Sequence, residues 1–273
     1  MRRYTILMNG FRYQDCLYLY SMKRILSIFI VLSLFLTKTN YAQVSIKDSC
    51  IFIPLVKMSY SIQLPGGDLA KRFGYNSSVN VALVFKTKKN LLYGIDGSFI
   101  FGNQINESGI LDSIVTSDGQ IINSNGQYAT VRQFERGFTV MGKFGKLFPV
   151  LGPNKNSGIF CAGGLGFLQH KIRIDDIGNS SPQLSKEYKK GYDRMTNGIA
   201  VSEFIGYQYL SNKRMVNFFF GFEIYQAFTK SRRSWDYDLM RADTASRVDL
   251  LYGFRAGWIL PLYKKAPDEF YYY

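Results

Sequence analysis

Every second residue from Val56 to Leu64 is bulky and apolar (Val56, Met58, Tyr60, Ile62, Leu64), while Lys57, Ser59, Ser61 and Gln63 stand between them. Successive side chains of a strand point to opposite faces, so this spacing predicts a two-faced β-strand over 54–64. An amphipathic helix would space its apolar positions by three and four instead. The alternation returns with Tyr75, Val79, Val81, Leu83 and Phe85, with Leu91, Tyr93, Ile95, Phe99 and Phe101, and with Phe138, Val140, Phe144 and Phe148. It returns again with Phe218, Phe220, Phe222, Ile224 and Phe228, and with Leu250, Tyr252, Phe254, Trp258, Leu260 and Leu262. Strands with less divided faces fill 158–174 and 199–210, bringing the total to about eight. The expected fold is all-β, a single up-and-down antiparallel barrel over 54–263, because closure is the way such a set leaves no edge unpaired.

Connection lengths orient that barrel. The turns at 86–90, 149–157 and 211–214 are short, whereas 102–137, 175–198 and 231–248 are long and polar. Short turns on one side and long loops on the other are the habit of transmembrane barrels, whose short side faces the periplasm. Asn125-Gly126 within the first long loop is a tight-hairpin signal. The 22 Phe and 20 Tyr of the chain concentrate on the apolar faces, and the opposed faces are Gly, Ser, Asn and scattered charges. An eight-stranded barrel has room inside for modest side chains, so the bulky faces are expected to meet lipid and the small polar faces the lumen. A filled lumen also disfavours a small-solute channel.

The first 42 residues read as an address. Met22-Lys23-Arg24 and the apolar run from Ile25 to Leu36 fit a signal peptide over 22–42 with Ala42 at the cut, preceded by an upstream extension over 1–21. A periplasmic segment over 43–53 and a periplasmic tail over 264–273 flank the barrel. Setting aside 1–42 removes six of 34 basic and one of 20 acidic residues, which leaves about +9. Attraction to phosphate-bearing lipid follows more readily than binding of nucleic acid, which an exported chain does not meet. Cys50 and Cys161 make no disulfide framework, and Cys161 is expected to be a small packed residue.

Interior charges need partners in so small a core. Pairing Asp96 with Lys143 in register brings Leu91 to Phe148 and Phe101 to Phe138. Pairing Glu223 with Arg255 brings Thr229 to Asp249 and Val216 to Leu262. Two acid–base pairs near mid-height are therefore expected, with Glu203 joining them if its strand turns that way. At the rim, Lys186, Lys189, Lys190, Arg194, Arg232, Arg233 and Trp235 form the candidate surface for lipopolysaccharide or an envelope partner. No catalytic, metal or cofactor motif is present, and the single His170 has no adjoining nucleophile pattern. The chain is expected to be a non-enzymatic structural or partner-binding protein; a lipid-modifying or hydrolytic enzyme with its site at the extracellular rim is the alternative.

The last strand, Arg255-Ala256-Gly257-Trp258-Ile259-Leu260-Pro261-Leu262-Tyr263, resembles the terminal signal read by the barrel-assembly machinery, apart from Pro261 and the tail beyond it. With it, the chain resembles the small outer-membrane β-barrel proteins of Bacteroidetes, the OmpA-like and PorT-like class. Ala42-Gln43 at the cut resembles the same bacteria's signals, and Asp112-Ser113-Ile114 and Asp243-Thr244-Ala245 resemble their O-glycosylation acceptors. The resemblance implies residence in the cell outer membrane, insertion by the barrel-assembly machinery and, for some members, an accessory role in secretion.

Overall fold

The computed structural model describes residues 49–178, 180–212 and 216–262. The expected extension and signal peptide over 1–42, residues 43–48 of the periplasmic segment and the tail over 264–273 lie outside them. Ten strands follow in chain order: β1 (Ile53–Gly67), β2 (Asn76–Lys86), β3 (Leu91–Gly102), β4 (Ile121–Ile122), β5 (Tyr128–Ala129), β6 (Val131–Phe148), β7 (Gly158–Asp176), β8 (Thr196–Leu210), β9 (Asn217–Ser231) and β10 (Ser246–Pro261). Eight of them close into one antiparallel barrel in the order β1-β10-β9-β8-β7-β6-β3-β2, while β4 and β5 pair separately. β10 closes the barrel on β1, with Trp258 opposite Met58. Each long strand thus neighbours its successor in sequence, the up-and-down arrangement that the alternation predicts.

The alternation sorts the side chains as expected on the outside. Ile95, Phe222 and Trp258 are 64%, 65% and 65% exposed, whereas Lys57, Asp96, Glu223 and Arg255 between such positions are buried. The lumen is less uniform than expected, because its wall carries large residues as well as small polar ones. Ile53, Leu55, Leu92, Leu147, Phe160, Phe204, Phe219 and Ile259 form an apolar layer at the short-turn end. Ile100, Met141, Leu168, Ile172, Tyr225 and Leu251 form another toward the long loops. Inward glycines make the room: a Cβ at Gly206 or Gly221 would come within 2.8 or 2.7 Å of the Phe204 ring.

Both registers inferred from matching strand ends are off by two residues. Met141 faces Asp96, and Leu91 faces Lys146. Gly253 faces Glu223, and Arg247 faces Thr229. The strand ends used for that inference were too short. β6 begins at Val131, well before Phe138, because above the apolar belt Arg132 and Arg136 take the outward positions and the alternation of bulk stops while the hydrogen-bond ladder continues. A slip of two keeps every side chain on its own face.

Four connections rise from one end, the three long ones L2 (103–130), L3 (177–195) and L4 (232–245) and the shorter L1 (68–75). L2 is shorter than expected for the reason just given. Its β4–β5 hairpin turns at Asn125-Gly126, where Gly126 has φ +77°. Short 3-10 turns lie in L1 at Leu69–Lys71, in L2 at Asp112–Ile114, and in L3 at Pro182–Leu184 and Tyr188–Gly191. The loops fold inward, so that Leu69, Phe73, Ile110, Ile121, Leu184 and Tyr192 seal the upper lumen.

Candidate functional site

Three clusters of charge are built into this frame. The first lies inside, at mid-height. Asp96 on β3, Lys143 on β6, Glu223 on β9 and Arg255 on β10 all face the lumen from different strands. Lys143 Nζ lies 3.1 Å from Asp96 and also bonds Glu223. Arg255 Nη2 lies 2.8 Å from Asp96, its Nη1 lies 3.1 Å from Glu223, and its Nε donates to Ser59 Oγ at 2.8 Å. Each acid meets both bases, so the cluster is one ring of four rather than two separate pairs. Lys57 stands beside it without a carboxylate: it donates to Gln208 at 2.8 Å and lies 4.4 Å from the Phe160 ring centre. Lys57 was legible as inward, since it lies on the polar face of β1, but a partner of Gln and aromatic rings leaves no charge signal. Glu203 is not part of this layer, because β8 turns it outward.

The second cluster ties the four loops into a crown. Arg194 of L3 is 2% exposed and meets Glu107 of L2 at 2.9 Å, Asp236 of L4 at 3.0 Å, and Asp238. Arg72 of L1 donates to Thr196 Oγ1 at 2.8 Å and lies 3.5 Å from Glu107 and 3.6 Å from Asp243. Arg233 pairs with Asp193, and Arg247 lies 2.6 Å from Asp243. Burial opposes the charge on Arg194, but its carboxylates win and raise its pKa. Arg72 moves the other way: burial, then the charge of Arg247, lowers its pKa. Burial raises Asp236 above the usual carboxylate value. Burial would raise Asp243 too, yet the bond from Arg247 and the Ala245 N–H hold it below.

The seven rim residues expected to act together therefore separate. Arg194 and Arg233 are consumed by the crown. Lys190 pairs with Glu187 at 2.7 Å on the surface, and Arg232 bonds the Asn197 side chain at 2.5 Å. Lys186 and Trp235 are exposed, and Lys189 is half-buried.

A third cluster was missed because its positions were assigned to a loop and a strand end. Arg132 and Arg136 of β6 and Lys171 and Arg173 of β7 face outward at the long-loop end, with Arg136 opposite Lys171 and Phe134 opposite Arg173. Among the described residues, Arg173 alone of the four makes an ion pair, with Asp175 at 3.4 Å on the surface, and Asp175 stands opposite Arg132 in register. Arg136 donates to the Glu135 carbonyl at 2.6 Å and lies over the Phe134 ring. Toward the apolar belt, the Phe138 and Phe167 rings pack 6.0 Å apart. The sequence signal was there: basic residues at 132 and 136, and at 171 and 173, with aromatic residues at the same period of two.

His170 is inward and 1% exposed; its Nε2 lies 2.9 Å from Asp249 Oδ2, which also accepts the Thr229 hydroxyl at 2.5 Å. That hydroxyl meets the acid rather than the imidazole, so this set lacks the nucleophile–base contact of covalent catalysis. Among the described residues no three of His, Cys, Asp and Glu converge on a metal-sized site. Cys161, expected to be packed, is half-buried on the outer face.

No family model and no curated relative matches the chain. Two solved structures of Ail, the attachment invasion locus protein of Yersinia pestis, are similar to it, one of them in complex with the heparin analogue sucrose octasulfate. Their identities are 12% and 10%, they cover 77% and 78% of this chain and 99% of each Ail chain, and the TM-score is 0.38 for both.

Proposed function

We propose that the chain is a non-enzymatic outer-membrane barrel whose basic wall on β6 and β7 holds the phosphate groups of lipid headgroups while the loop crown faces outward for a partner. The observation that carries this reading is the continuous apolar outer face wrapped around a lumen filled by a charge-paired layer and two apolar layers. A soluble barrel would hide that face, and an open channel would not be packed through its centre. The four cations stand where such a belt gives way to polar surface, above the Phe138–Phe167 pair, the level at which headgroups sit. The finer reading, an accessory of a secretion or assembly machine of the Bacteroidetes type, rests on the resemblance of the last strand and on the exposed crown residues Lys186, Tyr188 and Trp235.

The test is insertion and orientation. The chain should insert into vesicles, migrate as a compact species on a gel until boiled, and give a β-type circular-dichroism spectrum. On whole cells, a Cys at Ser180 or Ser246 should react with a membrane-impermeant reagent, while one at Lys88 or Asn212 should not. A helical spectrum or failure to insert refutes the barrel reading, and reversed labelling refutes the orientation.

A further inference from the structure

The mid-height layer does not balance its own charge. Lys57, Lys143 and Arg255 share it with Asp96 and Glu223, and both carboxylates are already held by Lys143 and Arg255. Lys57, 3% exposed, is the cation left over. Among the described residues its ammonium donates to one acceptor, Gln208 Oε1, and otherwise stands over the Phe160 and Phe219 rings at 4.4 and 4.8 Å. Ring faces ease a buried cation but supply no counter-charge. The other buried lysine, Lys86, is better answered: its ammonium donates to the Ile51 and Thr87 carbonyls and to Asn156 Oδ1.

Lys57 also borders a cavity of about 30 Å³. Its charged lining is Lys57, Asp96, Lys143 and Arg255, three cations to one carboxylate, and the remainder is apolar. Small residues make the room, with Gly145 of β6 opposite Ala162 of β7 along its wall. On the amide that accepts the Lys57 bond, Gln208 Nε2 is buried and finds no acceptor among the described residues. Spare donors and spare positive charge therefore stand together beside a space larger than the roughly 10–15 Å³ that one water needs.

We infer that this cavity is a binding site for one small monovalent anion of the halide class, which takes hydrogen bonds from Lys57 and brings the layer to three positive and three negative charges. A buried charge is costly unless it is paired, and a water, being neutral, would hydrate Lys57 without cancelling its charge. Asp96 does not forbid the anion, because its own charge is shared by Lys143 and Arg255. Phosphate or an organic acid is too large for the space. The apolar layers above and below close the lumen, so the anion enters as the barrel folds and stays as part of its core.

The test refolds the full barrel into detergent in sodium bromide and locates the halide in crystals by its anomalous scattering. One peak should lie in contact with Lys57 Nζ, and it should be lost in Lys57→Met, which keeps the length of the side chain and removes its charge. In solution, the barrel refolded in sodium chloride should unfold roughly 5 °C above the barrel refolded in sodium gluconate at the same ionic strength, and Lys57→Met should abolish the difference. A water or no density at Lys57 overturns the inference, as do peaks confined to the surface, which mean an adventitious ion only. A peak or a chloride effect that survives Lys57→Met overturns the assignment to Lys57. Should that variant fail to fold, the bromide map of the wild-type barrel decides alone. The site lies inside the barrel, so these outcomes leave the outer-membrane reading to its own test of insertion.

Discussion

The crown and the basic wall lie at the same end of the barrel and hold similar numbers of cations, yet they differ in what those cations touch. In the crown, Arg72, Arg194, Arg233 and Arg247 each face at least one carboxylate within the loops. On the wall, Arg132 stands opposite Asp175 in register, Arg173 pairs with that same exposed carboxylate, and Arg136 and Lys171 make no ion pair among the described residues. Buried, multiply paired charge holds a structure in one arrangement, because removing a partner strands the other charge out of water. Exposed like charges contribute little to folding and leave their hydrogen-bonding capacity for something outside the chain. A count of basic residues therefore does not mark a binding surface; the partners those residues already have decide it.

The mid-height ring carries the same logic to its limit and sets the largest expected effect. Arg255→Ala removes bonds to Asp96, Glu223 and Ser59 at once and should cost about 3–5 kcal/mol in detergent unfolding. Glu223→Ala should cost a similar amount, and the double variant should cost clearly less than the two together. Additivity within about 0.5 kcal/mol would mean the residues are independent, and the ring would not be the fold's internal tie.

Next comes the crown. Arg194→Ala leaves Glu107, Asp236 and Asp238 facing one another, and the loops should open at a cost of roughly 3 kcal/mol in local protection. Limited proteolysis should then cut L2 and L4, while the barrel's heat resistance changes little. Cooperative loss of the barrel in this variant would erase the distinction between crown and wall as separate layers of stability.

The wall should answer in the opposite sense. Arg136→Ala or Lys171→Ala should leave stability within about 0.5 kcal/mol and weaken association with vesicles rich in phosphate-bearing anionic lipid by about fivefold each, as expected for ~1 kcal/mol per cation. Lys186→Ala, on the crown's surface, should change neither. Equal losses from wall and crown substitutions would show a diffuse net-charge effect and break the comparison.

How far the sequence reveals all this depends on where a residue stands relative to the belt. Within it, a period of two separates Phe222 from Glu223 and Phe254 from Arg255, and the inward set can be read directly. Register is not so readable, since a slip of two leaves every face unchanged; Asp96 and Lys143 nevertheless meet because long side chains reach diagonal neighbours. Beyond the belt the pattern ends, so the upper part of β6 was hidden in a loop and its arginines with it. The crown depends on contacts such as Arg194 with Glu107, far apart in sequence, that no local pattern encodes. Glu203 was visible as a charge, but its side of the wall was not, because Gly163, Gly164 and Gly166 on the adjoining strand blur the division of faces.

The smallest expected effect is an acid response that separates two aspartates of L4. Asp243 sits below its ordinary value of 3.8, so its bonds to Arg247 and Arg72 contribute fully above that pH and are lost as the pH falls through the lowered value. Asp236 sits above 3.8 because it is buried; its folded form takes up a proton first, and that uptake favours the folded crown as the pH falls toward 3.8. The two signs oppose each other, so the crown should hold, or tighten slightly, from neutral pH down to about pH 4 and loosen only below 3.8. Trp235 lies in L4, and its fluorescence in a Trp258→Phe background reports the change. In Asp236→Asn the slight tightening should vanish while the low-pH loss remains; in Asp243→Asn the low-pH loss should shrink. The wall's outward carboxylate, Asp175, is exposed to solvent, so vesicle binding through Arg136 and Lys171 should not follow the Trp235 transition. Loss of crown fluorescence and of vesicle binding at one common pH would instead place both clusters under a single control.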